Sequence, residues 1–156
     1  MGVYAVFGNH EHFSESIETA GQFFKDAGIK LLTDSVASVE NQFYIVGRDD
    51  KINPHRKRLN VILNGIDNTK PILLLDHQPS SLPEAEQIGV DFQFSGHTHN
   101  GQFFPGGWFV KRMFELGYGY KKRGNTHYYV SSGLGLWGPQ YRIGSQSELV
   151  VIDFKY

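Results

Sequence analysis

Cysteine is absent from all 156 residues, which excludes disulfide scaffolds, zinc ribbons and thiol catalysis. The redox compartment stays open. Long apolar runs are missing too: nothing approaches the roughly 20 residues a membrane helix requires, and Met1-Gly2 leads into an apolar run without a charged region or cleavage site. The reading is a soluble chain with no membrane segment. Charge of one sign is not in excess, since 15 Lys and Arg stand against 16 Asp and Glu. No global field therefore recruits nucleic acid or an anionic membrane. Two short basic clusters, Lys51 to Arg58 and Lys121 to Arg123, read as solvated loop and hairpin faces, so no nucleic-acid partner is expected. Repeats, low-complexity tracts and linkers are lacking, and the length suits a single domain over residues 1–156.

Against these absences stand three apolar runs, each ending in a polar turn that carries histidine. Val3 to Phe7 precedes Gly8-Asn9-His10-Glu11, Ile72 to Leu75 precedes Asp76-His77, and Val90 to Ser95 precedes Gly96-His97-Thr98-His99-Asn100-Gly101-Gln102. Functional groups gather at the ends of strands in a covered sheet, so three such ends predict that Asn9, His10, His77, His97 and His99 meet. Imidazole is the commonest neutral nitrogen ligand for a transition metal, and a metal is the first group these residues suggest. Each motif alone also has a plain reading. Asn9-His10 suits a turn, a buried His77 can satisfy a backbone carbonyl, and a lone HxH arises by chance.

Between the motifs the pattern alternates strand and helix. Val3 to Phe7 reads as a buried strand, and Ile17, Ala20, Phe23, Phe24 and Ala27 share a helical face with Ser14 as N-cap and Gly28 as stop. Lys30 to Leu32 is a short strand, and Val36 to Val39 with Phe43 to Gly47 form an edge hairpin around Glu40-Asn41. Asp49 to Arg58 is a loop, Arg58 to Leu63 a turn or two of helix, and Ile72 to Leu75 a strand covered on both faces. A helix begins at Ser80-Ser81-Leu82-Pro83 and stops by Gly89. Tyr118 to Lys122 and Thr126 to Val130 form a hairpin about Arg123-Gly124-Asn125, and Glu148 to Phe154 is a last strand. The aromatic residues after Gln102, from Phe103 and Phe104 through Trp108, Phe109 and Phe114 to Tyr118 and Tyr120, are read as packing residues. Ser131 to Gly138 is too glycine-rich for regular structure and lets backbone approach a bound group.

The ordered series GNHE, a lone His after a strand, and GHTHNGQ resembles the calcineurin-like metallophosphoesterases, and the close from Tyr129 through Ser131-Ser132-Gly133 and Trp137-Gly138 to Arg142 looks like their small bacterial branch. The resemblance runs from Val3 to the C-terminus. It implies an α/β fold of layered sandwich type with mixed sheets, and a hydrolase of phosphate mono- or diester or pyrophosphate bonds. It further implies Asn9, His77 and His97 as ligands to one metal, His99 as a ligand to a second, and His10 facing the scissile phosphate as acid or transition-state stabiliser. Two cations about 3.5–4 Å apart activate a hydroxide nucleophile and clamp the phosphoryl oxygens, and the mixed N/O ligand set suits Mn, Fe, Zn or Co. Glu11, His12 and Arg142 are further candidates. Arg142 offers a fork to phosphate, or is an ordinary surface residue.

One departure matters. Family members begin with D-x-H and G-D-x-x-D motifs that supply most first-metal ligands and the bridging carboxylate, and this sequence has neither; Asp49-Asp50 and Asp76 lack that context. The expectation is therefore the C-terminal part of an enzyme with its N-terminal strands missing, holding at most one metal, weak or inactive alone, and self-associating through an exposed sheet edge. A rival reading is a non-catalytic metal-binding or interaction module on the same scaffold. A serine hydrolase built on Ser80 or Ser95 with His77 and Asp76 lacks a nucleophile elbow.

Overall fold

The computed structural model describes residues 2–13 and 16–155. Short apolar runs set the centre of its main sheet. Strands β3 (Ser35–Val39), β4 (Phe43–Gly47), β5 (Ile72–Leu75), β6 (Phe92–Ser95), β7 (Gly119–Arg123) and β8 (Thr126–Val130) lie in the order β3-β4-β5-β6-β8-β7. The four central strands are parallel, and β3 and β7 add antiparallel edges through the two hairpins. A second sheet holds only β1 (Tyr4–Ala5) beside β2 (Lys30–Leu31). The α/β class and the mixed sheet agree with the sequence reading.

Helices α1 (Asn9–Phe13), α2 (Ile17–Asp26), α3 (Leu59–Ile62), α4 (Leu82–Ile88) and α5 (Gly106–Met113) complete the fold. The core lies between α3 and α4 and one face of the sheet, where Ile72, Leu74, Val46, Tyr128 and Val130 meet Leu59, Ile62, Leu82 and Ala85. Tyr128 is fully buried, and its hydroxyl donates to the Leu82 carbonyl at 2.7 Å. That bond ties β8 to the start of α4.

Several expectations change. The strand at Val3 to Phe7 shrinks to two paired residues, because β2 is its sole neighbour among the described residues. Ser14 lies outside the described residues; Ser16 caps α2 by accepting from the Thr19 amide. Ile72 to Leu75 is fully covered on one face only. Leu73 faces a groove of about 420 Å3 lined also by Phe43, Phe92, Tyr129 and Phe154, since both core helices lie on the other side. Glu148 to Phe154 forms no strand: no described strand offers it a ladder, and Leu149 and Val151 are exposed. The basic cluster at Lys51 to Arg58 is not wholly solvated, because Arg56 turns inward to Asp76.

Gly47 joins the two sheets. A Cβ there would overlap that of Leu32 and sit 2.7 Å from the Leu32 carbonyl oxygen and 2.9 Å from Val6 Cγ1. Gly47→Ala should lower unfolding free energy by about 2 kcal/mol through overpacking. Urea denaturation checks this, and an unchanged midpoint would show that the sheets part freely.

Candidate metal centre

Parallel pairing puts the ends of β5 and β6 side by side, so the turns after Leu75 and Ser95 run together, and the Gly96 amide donates to the His77 carbonyl at 3.0 Å. The turn after Phe7 crosses them. Asn9 Oδ1 lies 3.1 Å from His77 Nε2 and 3.0 Å from His97 Nδ1, and the two rings stand edge to face at 5.2 Å. An amide oxygen only accepts, so in these two contacts the ring nitrogen is the donor. Gly8 leaves room for this approach. A Cβ on it would lie 2.8 Å from the His77 ring.

The GHTHNGQ turn achieves its shape with unusual backbone. His97, His99, Asn100 and Gln102 all have positive φ, between 49° and 70°, a region that costs a side-chain-bearing residue about 1 kcal/mol or more. Buried side chains of the same motif hold it. Thr98 Oγ1 donates to the Gly117 carbonyl at 2.6 Å. The fully buried Gln102 donates to the carbonyls of Trp137 and Pro139 and accepts from the Trp137 amide. Thr98 and Gln102 thus anchor the loop from which the histidines project.

His77 is held from both sides by the loop after β4. Its predecessor Asp76 is paired to Arg56, with Arg48 at 3.7 Å. Its successor Gln78 donates to both carboxylate oxygens of Asp50, at 2.7 and 3.0 Å. Asp50, Asp76 and Gln78 are all buried. The sequence shows the polar residues flanking His77, but no spacing rule connects them with positions 50 and 56, and their positioning part was missed.

Burial holds the pKa values of His77 and His97 below the ordinary imidazole value, and His97 is lowered further by His77. Desolvation and then Arg142 do the same for His99. Neutral imidazoles at neutral pH are the form that binds metal. Among the described residues no three His, Asp or Glu side chains are arranged to hold an ion, so a site here draws on the Asn9 oxygen. The donor set of one amide oxygen and two neutral imidazoles fits a single divalent transition metal.

The other candidates are placed around this trio. His99 has no hydrogen bond or ring contact with it, although His99 acts electrostatically on His77. His10 is exposed on α1, its ring edge-on to Phe13 at 6.5 Å. Glu11 accepts from the Gly8 amide at 2.7 Å and so stabilises the turn that presents Asn9. His12 is bound to Asp49 at 2.7 Å. The Arg142 guanidinium donates to the carbonyls of His99, Ser132, Gly133 and Gly135, pinning the glycine-rich loop against His99.

A family model described as calcineurin-like phosphoesterase matches residues 1–101. An uncharacterized metallophosphoesterase of Aquifex aeolicus is 33% identical over 165 residues, covering 99% of this chain and 61% of the relative. One from Campylobacter jejuni is 32% identical over 161 residues, covering 99% and 42%. A Danio rerio protein named as a transmembrane protein with metallophosphoesterase domain is 33% identical over 171 residues, covering 99% and 39%. The chain thus spans less than two thirds of the length of these relatives. No solved structure matches it.

Proposed function

We propose, given that this chain belongs to the calcineurin-like phosphoesterase family, that the full protein is a hydrolase of phosphate esters working with two divalent transition metals. The observation that carries this reading is the convergence of His77 and His97 on Asn9 at the ends of two adjacent parallel strands. In this reading Asn9, His77 and His97 hold one metal and His99 belongs to the second. Two bound cations supply a nucleophile at neutral pH and neutralise charge on the phosphoryl oxygens.

The chain's own residues then divide the work. His10, exposed and close enough to act electrostatically on His77, His97 and His99, donates a proton to the leaving oxygen or stabilises charge there. Asp50 and Arg56 act as positioning residues through Gln78 and Asp76. Arg142 fixes the His99 turn, and one edge of its guanidinium lies 3.5 Å from His99 Nδ1. One observation favours the non-catalytic module instead: the converging trio contains no carboxylate to bridge two ions.

Turnover decides between the readings. In a form spanning the full length of the relatives, manganese-dependent cleavage of a chromogenic phosphodiester or phosphomonoester is expected. His10→Ala should lower kcat at least about a hundredfold with bound metal unchanged. A metal-loaded full-length form without turnover would leave the module reading standing.

A further inference from the structure

Phe104, Trp108 and Phe109, in the aromatic stretch after Gln102, do not pack as the sequence suggests, and the reason lies in how α5 sits. Gly101 and Gly106 meet backbone to backbone, with no room for a Cβ on either. Val110 is the one buried residue of α5, resting where a Cβ on Gly117 would overlap it. The helix is thereby fixed to the His99–Gly101 turn by its glycine end, and its remaining apolar side chains point away from the core. Trp108 is 67% exposed, Met113 70% and Phe104, just before the helix, 79%. Phe109 is exposed beside Trp108, their rings 5.9 Å apart.

The patch continues beyond the helix. The Phe104 amide donates to the Ile143 carbonyl at 2.7 Å, and the Phe103 ring lies 6.4 Å from Trp137 and 6.3 Å from Tyr141. Trp137, Tyr141 and Ile143 are themselves exposed. An apolar rim therefore flanks the turn that carries His99. Its charge has one sign. From Phe103 to Phe114 the sequence has Lys111 and Arg112 and no acidic residue; both are exposed, and neither is in a salt bridge with any described residue.

Aromatic residues together with unpaired Lys and Arg on one short helix match the boundary between lipid headgroups and acyl chains, where rings enter the apolar side and cations meet anionic headgroups. A contiguous exposed patch of this kind marks an interaction site. We propose that α5 with Phe104 and the Trp137 loop is a docking surface for an anionic lipid bilayer, which turns the His99 end of the molecule toward the headgroup layer. The chain's near-zero net charge does not oppose this, because the complementary charge is local to α5. The inference stands apart from the phosphoesterase reading: its test contains no metal and reads no turnover.

The experiment is co-sedimentation of the purified chain, in chelator, with vesicles of phosphatidylcholine alone or mixed with phosphatidylglycerol. Binding to the mixed vesicles is expected to exceed binding to phosphatidylcholine at least about tenfold, as two surface cations imply. Trp108→Ala with Phe109→Ala should weaken binding to the mixed vesicles at least about tenfold. Lys111→Glu with Arg112→Glu should abolish the preference for phosphatidylglycerol. These side chains are exposed, and matching thermal melts would confirm folding. A chain that stays in the supernatant with both vesicles overturns the proposal, as does binding that neither double substitution changes. Concentration-dependent self-association abolished by the same substitutions, without vesicle binding, would assign the face to a second copy of the chain and overturn it equally.

Discussion

His97→Ala will lower the manganese affinity of this chain by at least about a hundredfold, beyond the range seen for loss of a residue that merely supports a ligand. His97 Nδ1 is one of two imidazole nitrogens within 3.1 Å of Asn9 Oδ1, and no described acidic side chain completes a site in its place. Asp50→Asn should fall between His97→Ala and the unsubstituted chain, at about tenfold, because it weakens the hold on Gln78 and loosens His77 without removing a donor. His127→Ala is the control. Its ring pairs with the Tyr120 hydroxyl at 2.7 Å on the edge hairpin, and affinity should stay within about twofold of the parent. Titration with manganese followed by paramagnetic resonance measures all three. Equal affinities for the His97 and His127 variants would return the histidines to packing roles.

Arg56→Ala is expected to be the most damaging single change to stability, costing about 3–5 kcal/mol, the range for breaking a buried pair by removing one partner. That is a large part of the 5–15 kcal/mol, roughly, that holds a domain folded. Arg56 and Asp76 are both almost wholly buried. The remaining cation, Arg48, is 3.7 Å from Asp76 and 2.7 Å from Glu84, so it is shared. Burial raises the Asp76 pKa from 3.8 to about 6 against the lowering effect of Arg56 and Arg48, with a small further rise from Asp50.

The direction of the pH dependence follows. A carboxyl that holds its proton more tightly folded than unfolded contributes stability that is full below 3.8 and is lost as pH rises through about 6. Without Arg56 this window moves upward. The variant should therefore be weakest above neutrality and recover part of its loss on acidification toward 6. Urea denaturation at two pH values on either side reads this. A loss that is the same at both would mean that Asp76 is already neutral or that Arg56 acts only through packing.

Much of this architecture was legible because local signals agreed with tertiary demand. Glu40-Asn41, both at positive φ, and Gly124-Asn125 mark the two hairpins, and Pro83 with a left-handed Gly89 brackets α4. Asn9, His77 and His97 were legible as a group because each follows an apolar run at a strand end. The positioning set was not. Asp50–Gln78 and Arg56–Asp76 join residues more than 15 apart by side chains whose partners no periodicity specifies. Aromaticity misled at Phe104, Trp108 and Phe109, where two backbone glycines rather than the side chains decide where the helix lies. The strand expected at Glu148 to Phe154 shows the same limit, since an apolar run suits an extended chain but pairing needs a neighbour.

If Asn9, His77 and His97 form one metal site and His99 stands outside it, the chain holds one ion without His99. Metal per chain, measured after incubation with manganese and desalting, reads this. A single manganese is expected on each chain, unchanged by His99→Ala and absent after His97→Ala. Retention of no metal by the unsubstituted chain, or a single ion that His99→Ala removes and His97→Ala leaves in place, would contradict it.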